Sequence, residues 1–548
     1  MSSGESPVFP DVFNLADYFL FDRIAEGLGS TVALRFGSHA YTYDDVATRS
    51  LRTARLLRDH GVRGEERVLI VLPDLPAFAW AFFGALKSGA VVAMGNPESP
   101  AADLAYLLEY TRASALIAIP RVVDALHEAI ESSPSLQTVF VVHESPTEGD
   151  PEALPAPVSV PTKRSAILSE ALKSAPSSDA PLPVTRRDDV AIWLFTSGST
   201  GKSKAAVHTH RDFAFNTETY ALRTVGYRRG DVCVSIPRLY FGYATGTNLM
   251  FPFRVGATVG LFSERPTPES LIAAIERYKP TVLTNVPTMI GKLLEHDASM
   301  RARGEQGLDL SSLRFCLSAG EALPPSLLDR WNARFGIDVY DGIGSAEMFH
   351  IYISNRPGDI KPGSLGRVVE GYEARVLPED ARGPGGAPMP TGEIGVLWVA
   401  GDSVALAYQG DRDKSWGTFH GRWCRTGDLF SVDADGYHWF AGRADDLIKV
   451  SGLWVSPIEV EECLLRHAAV AEVAVIGVDE AGLMKTRAYV VVREGHTADA
   501  SLAEQLKDWA KSRLTKHKYP REVEFVPDLP KSDRGKVDRK TLKARAAR

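Results

Sequence analysis

The 548-residue sequence predicts an α/β protein: a large N-terminal domain of layered sheets and helices (residues 1–443), then a small mobile α+β domain (residues 444–548). Three observations lead there. Short continuous apolar runs alternate with helical patterns, as in parallel sheets buried on both faces. The chain is longer than one hydrophobic core usually supports. A helix start at Ser456 opens a compact C-terminal stretch with its own strands and a second amphipathic helix.

Taken in order, "ERVLIVLP" (66–73) reads as a strand stopped by a proline, and Ala77–Leu86 as a buried helix. "GAVVAMGNPESP" (89–100), "ASALIAIP" (113–120) and "TVFVV" (138–142) continue the strand series. Between His143 and Asp188 the composition turns to Pro, Ser, Ala and Glu; this reads as a surface excursion with one helix around "RSAILSEALKS". "VAIWLF" (190–195) is a strand that delivers the chain into a glycine-rich loop. "PTVLTNVP", "LRFCLSAG" and "FGIDVYDGIG" are strands ending in small-residue loops. In open α/β sheets the ligand lies outside the carboxyl ends of the strands, so these loops are expected to face one cleft. "PEDARGPGGAPMPTGE" (378–393) is a turn cluster before the strand "GVLWV". In the last unit Ser456 is the expected N-cap, Pro457 the first helical residue and Glu459 the far side of a capping box.

Composition narrows the function. A formal net charge of −7, from 62 basic and 69 acidic residues, gives no electrostatic reason to expect nucleic acid or an anionic membrane as partner. The basic ending "KTLKARAAR" reads as a solvated helix end. Cys233, Cys316, Cys424 and Cys463 are scattered, with no CxxC pair, and read as buried reduced thiols; neither zinc nor a disulfide framework is expected. The N-terminus lacks the basic and apolar regions of a secretory signal. The longest apolar run is stopped by Lys87, too short for a bilayer. A cytoplasmic protein, monomer or homodimer, is expected.

The stretch "FTSGSTGKSKAAVHTH" (195–210) contains GKS, yet Thr196 stands where the Walker pattern needs its first glycine. The loop nonetheless has the glycines, hydroxyls and lysine that phosphate binding requires. Taken with the motifs that follow it, this stretch resembles the phosphate loop of the ANL superfamily of adenylate-forming enzymes, which includes acyl- and aryl-CoA ligases, adenylation domains and luciferases. The resemblance covers nearly the whole chain and implies the ANL fold.

On that resemblance, Thr196, Ser197, Gly198, Ser199, Thr200 and Gly201 would cradle the ATP phosphates with Lys204; Ser203 replaces the family's usual proline. Ser318, Ala319, Gly320 and Glu321 in "SAGEAL" would lie along the adenine. "DGIGSAEMFHIY" matches the acidic motif, with Asp341, Gly342 and Ser345 at the nucleotide and Glu347 holding Mg²⁺. Ala346 departs from the family's threonine and puts one phosphate hydrogen bond in doubt. Asp428 in "WCRTGDLF" would accept from the ribose hydroxyls, and Arg443 would bind near ribose or phosphate. Asp445 would be the hinge, with Lys449 and Gly452 on the thioester-forming face. Lys536 in "LPKSDRGKVDRK" would meet both the substrate carboxylate and the α-phosphate, where a fixed cation offsets charge developing as two anions approach.

The acid is read from "SIPRLYFGYATGTNLMFPFRVGAT" and "GIGSAEMFHIYISNRPGDIKPGSLGRVVEGYE", which resemble the benzoate-CoA ligase subgroup. Tyr240, Phe241, Gly242, Tyr243, Ile343 and His350 would border the ring and carboxylate. Gly242 stands where alanine is usual, leaving room for an ortho substituent such as the amino group of 2-aminobenzoate. The implied activity is ATP-dependent aryl-CoA ligation, with CoA as co-substrate; the alternative is a stand-alone enzyme loading a phosphopantetheinyl carrier protein.

Overall fold

A computed structural model describes residues 6–155, 163–174, 181–197, 202–450, 453–480, 483–531 and 537–546. The chain forms two compact units: residues 1–373 with 399–424, and residues 374–398 with 425–548. Beside the domain boundary expected at 443/444, the segments 374–398 and 425–443 group with the C-terminal residues. The Ser456 hydroxyl, for instance, donates to the Ala441 carbonyl at 2.5 Å.

In the first unit, a seven-stranded sheet of described residues runs Arg164–Ile167, Thr138–Val141, Ala115–Ala118, Arg67–Val71, Val91–Met94, Val190–Ser197, Ser203–Thr209. All neighbours are parallel except the last pair. The inner strands Val91–Met94, Ala115–Ala118 and Thr138–Val141 are buried at every residue, which is why they read as unbroken apolar runs. Pro76 starts the apolar helix Pro76–Lys87, whose residues up to Leu86 are all buried. Thr42 and Asp45 form a reciprocal capping box on helix Tyr43–Asp59, which packs beside it.

One expectation is corrected here. The stretch 143–188 is more than an excursion carrying a helix: Arg164–Ile167 is an edge strand of the sheet, followed by helix Leu168–Ser174. The strand Val190–Ser197, read from sequence as leading into the glycine-rich stretch, also pairs antiparallel with Ser203–Thr209, Thr196 opposite Lys204 and Ser197 opposite Ser203.

The second sheet of the first unit has a parallel centre: Val339–Gly344, Phe315–Ala319, Val282–Asn285, Val232–Ser235, Thr258–Leu261 and Val32–Phe36. Antiparallel strands flank it at both ends. Helices Pro268–Tyr278, Pro287–Ala302 and Pro325–Phe335 cover it with a core that includes Leu283, Ile290, Leu293, Leu328 and Trp331.

In the second unit, Trp423–Val432 and His438–Arg443 form an antiparallel pair that sets Asp428 opposite Arg443. Beyond it, Val470–Glu480, Leu483–Val492 and Glu522–Phe525 form a sheet backed by helices Pro457–Leu465, Ala500–Lys511 and Arg539–Ala546. Ser456 caps its helix as expected, accepting from the Glu459 N–H. The reciprocal half of the box is missing, because the Glu459 carboxylate takes Lys518 as partner at 2.7 and 2.8 Å. All four cysteines are buried and free. Among the described residues no helix is long and apolar enough to cross a membrane.

Candidate active site

The nucleotide-side residues of the second sheet are brought together by strand register. Ser318 lies opposite Asp341 and Ala319 opposite Gly342 on adjacent parallel strands, so the "SAGEAL" turn and the acidic motif leave the sheet side by side. Gly320 bends away with φ +92°. Glu321 is pinned by Thr288, whose hydroxyl and N–H donate to its carboxylate at 2.8 and 3.2 Å. The Asp341 carboxyl is buried, and that burial pushes it up to about 7.

The acidic motif continues into a short 3₁₀ turn, Ala346–Met348. A Cβ on Gly344 would meet the His350 carbonyl oxygen at 2.4 Å, so only glycine lets the chain fold back here. Ala346 lacks the family's hydroxyl, but its carbonyl is anchored by the buried His208, Nε2 to oxygen 2.6 Å. His208 Nδ1 in turn pairs with Asp212 at 2.9 Å. Asp212 also accepts from the Thr209 N–H and hydroxyl, capping helix His210–Asn216. Glu347 is half-buried, and its Oε1 accepts from the Tyr408 hydroxyl at 2.6 Å.

Phe349 then takes φ +67° and ψ −57°, a γ-turn closed by the His350 N–H donating to the Met348 carbonyl at 2.9 Å. Positive φ in a bulky residue is strained and persists only where the surroundings enforce it. Here the Phe349 ring lies 3.6 Å from that of Phe213, and the Met348 carbonyl also accepts from Ser403.

The turn delivers His350 into an aromatic wall, with its ring 4.8 Å from Phe251, 5.2 Å from Tyr243 and 5.5 Å from Tyr220. Nε2 pairs with the Tyr243 carbonyl at 3.0 Å. Burial drives the imidazole down to about 3, so it stays neutral and Nε2 is the donor. Nδ1 is shielded and finds no partner among the described residues, nor does the Tyr243 hydroxyl. Tyr240 and Phe241 stack edge to face at 4.7 Å. A Cβ on Gly242 would sit 3.2 Å from Leu194 Cδ1 and 3.7 Å from the Phe349 carbonyl. Ile343 is half-buried on the strand between these groups and Asp341.

On the phosphate loop, Thr196 is half-buried and Lys204 is ion-paired with Asp411 at 2.5 Å. Gly198, Ser199, Thr200 and Gly201 lie outside the described residues, as do Gly452 and Lys536; the side chains of Ser197 and Lys449 are likewise undescribed. In the second unit Arg443 Nη1 donates to Asp428 Oδ1 at 2.8 Å and to the Thr426 carbonyl at 3.2 Å. Asp445 is exposed in the 3₁₀ turn Ala444–Asp446.

A magnesium ion fits this donor set. Among the described residues no cluster of three or more His, Cys, Asp or Glu could hold a metal alone. One carboxylate, Glu347, has Oε1 fixed by Tyr408, and its second oxygen accepts no hydrogen bond among them. That suits an ion held through one carboxylate and substrate phosphates. A cavity of about 820 Å³ lined by Phe9, Phe13, Arg55, Lys87, Glu218 and Arg254 includes none of the residues singled out from sequence.

Tyr408, Asp411, His208 and Asp212 were not singled out from sequence. Thr209 and Asp212, three apart before the apolar "FAFN", carried a readable cap signal. Tyr408 and Asp411 carried none.

The family model described as AMP-binding enzyme matches residues 21–409, and the AMP-binding enzyme C-terminal domain matches 459–536. A benzoate–CoA ligase of Thauera aromatica is 38% identical over 538 residues, covering 98% of this chain and 96% of that protein. The solved structure of the anthranilate CoA ligase AuaEII in complex with anthranoyl-AMP superposes with TM-score 0.87 at 34% identity, covering 98% of each chain. That of a benzoate CoA ligase from Burkholderia xenovorans LB400 gives 0.84 at 37%, covering 97% of this chain and all of that one.

Proposed function

Because the chain belongs to the AMP-binding enzyme family, we propose that it is an ATP- and magnesium-dependent aryl-CoA ligase acting on benzoate or a substituted benzoate. The carrying observation is the neutral, buried His350 on the Tyr243 carbonyl, inside an aromatic wall three residues after Glu347. An apolar ring fits that wall, and a neutral imidazole adds no charge to it.

The substrate carboxylate attacks the α-phosphorus of ATP, forming the acyl–phosphate bond and expelling pyrophosphate. CoA thiolate then attacks the acyl carbonyl and AMP leaves. Lys204 and the phosphate-loop hydroxyls bind the phosphates. Glu347 would hold magnesium, which offsets charge as pyrophosphate departs. Asp428 accepts from the ribose, oriented by Arg443. Lys536 brings its ammonium to the two reacting anions. Rotation of residues 444–548 about Asp445 exchanges that lysine for the Lys449–Gly452 face, so one cleft serves both steps.

The reading that an ortho substituent is tolerated, 2-aminobenzoate in particular, rests on glycine at 242 where the family usually has alanine. Kinetic preference for unsubstituted benzoate over 2-aminobenzoate would count against this.

The test is incubation with magnesium-ATP, CoA and a panel of benzoates, aminobenzoates, hydroxybenzoates, cinnamates and fatty acids, with thioesters identified by mass. An aryl-CoA product is expected. Aryl-AMP without thioester would replace CoA by a phosphopantetheinyl carrier protein as acceptor, and a fatty acyl product would overturn the aromatic assignment.

A further inference from the structure

Segment Ala405–Asp411 contains none of the residues assigned above, yet it touches both Glu347 and Lys204. It lies along strand Ser203–Thr209 as an added partner: Leu406 N–H donates to Val207 O at 2.8 Å, Val207 N–H to Ala407 O at 2.9 Å, and Gln409 N–H to Ala205 O at 2.9 Å. At its start the Ala405 N–H donates to the Glu347 carbonyl at 2.8 Å. In its middle the Tyr408 hydroxyl donates to Glu347 Oε1 at 2.6 Å. At its end Asp411 caps helix Arg412–Thr418 and holds Lys204.

An extra strand that merely closed the sheet edge would need backbone pairing alone. Here two side chains three residues apart reach the carboxylate suited to magnesium and the lysine suited to phosphate. Tyr408 is otherwise packed, against the Phe419 ring at 5.1 Å and beside Ala206 and Ala405. Its hydroxyl can thus be removed without opening a large cavity. Fixing Oε1 from one side turns the other carboxylate oxygen into a preset ligand. The carboxylate at Lys204 competes with phosphate oxygens for that ammonium.

We propose that this segment is a strut for magnesium-nucleotide binding, with Tyr408 the positioning residue of Glu347 and Asp411 a counter-ion that nucleotide phosphates displace from Lys204. The inference rests on the aryl-CoA ligase reading.

Calorimetric titration of the full chain without aryl acid or CoA, so without turnover, tests it using ATP with Mg²⁺ and ATP in EDTA. Tyr408→Phe is expected to weaken magnesium-ATP binding about tenfold, the scale for losing a hydrogen bond to a charged group, and to leave metal-free ATP unchanged. Tyr408→Phe/Glu347→Gln should bind no more weakly than Glu347→Gln alone. Asp411→Asn, which keeps an N-capping side chain, should tighten both forms about two- to fivefold. Tyr408→Phe weakening both forms equally, or neither, overturns the positioning role, and so does an additive double variant. Weaker or unchanged binding by Asp411→Asn overturns the counter-ion role, independently of whether the tyrosine variant folds. If the wild type binds no magnesium-ATP, the ligase reading fails and this falls with it; if it binds while the variants do not shift, the strut alone fails.

Discussion

Gly246→Ala isolates the packing that holds His350. The backbone there is ordinary right-handed helix, φ −68° and ψ −66°, so alanine is sterically allowed by the main chain and the effect is one of space. The new methyl would stand 2.6 Å from His350 Cδ2, 2.8 Å from Nε2 and 3.0 Å from Phe251 Cζ, all atoms of rigid rings. Overpacking of that kind costs about 1–3 kcal/mol. Driving Nε2 off the Tyr243 carbonyl adds about 0.5–1.5 kcal/mol. Alanine's helix preference over glycine returns up to ~1 kcal/mol. The net expectation is about 1–3 kcal/mol, read as a lower urea midpoint at unchanged slope. The KM for the aryl acid should rise severalfold while magnesium-ATP affinity holds. His350→Ala removes the ring that the methyl strikes, so His350→Ala/Gly246→Ala should be no less stable than His350→Ala alone. An unchanged midpoint with an unchanged acid KM, or simple additivity in the double variant, refutes the reasoning.

Three further expectations follow. The Asp341 carboxyl is raised in the folded state, so it keeps a proton that the unfolded chain releases; stability should fall as pH rises from about 4 to about 7 and level off above, by at most ~4 kcal/mol. Asp341→Asn should flatten that slope in urea midpoints measured across the window. Asp212→Ala removes the acceptor for His208, the Thr209 N–H and the Thr209 hydroxyl, and should cost about 2–4 kcal/mol, with weaker magnesium-ATP binding because Ala346 loses its anchor. Lys536→Ala should abolish acid-dependent pyrophosphate exchange while sparing thioester formation from pre-made aryl-AMP; equal loss of both steps would refute the half-reaction assignment.

The strands themselves were legible where they are buried on both faces, as in "VVAM" and "ALIA", where every residue is apolar. Arg164–Ile167 escaped notice because it is an edge strand with two exposed residues in a Pro- and Ser-rich stretch. The antiparallel partner Ser203–Thr209 was hidden by its small residues, which read as loop. Candidate site residues could be proposed from sequence where they stand close together in one motif, as in the run from Asp341 to His350. Tyr408 and Asp411 were not, because their partners lie 61 and 207 positions away and no spacing rule reaches that far.

The strained bend at Phe349 bears on how this specificity could be redesigned. It makes the stretch from Glu347 to His350 a stiff link rather than a hinge, so the Glu347 carboxylate and the aromatic wall at His350 share one mechanical part. A substitution that moves His350 to admit a bulkier acid will drag Glu347 with it and be felt as weaker magnesium binding. The opposite wall, Gly242 and Tyr243 on helix Gly242–Thr245, belongs to a different element. Variation in the acid should therefore be sought on that helix, with the link after Glu347 left alone.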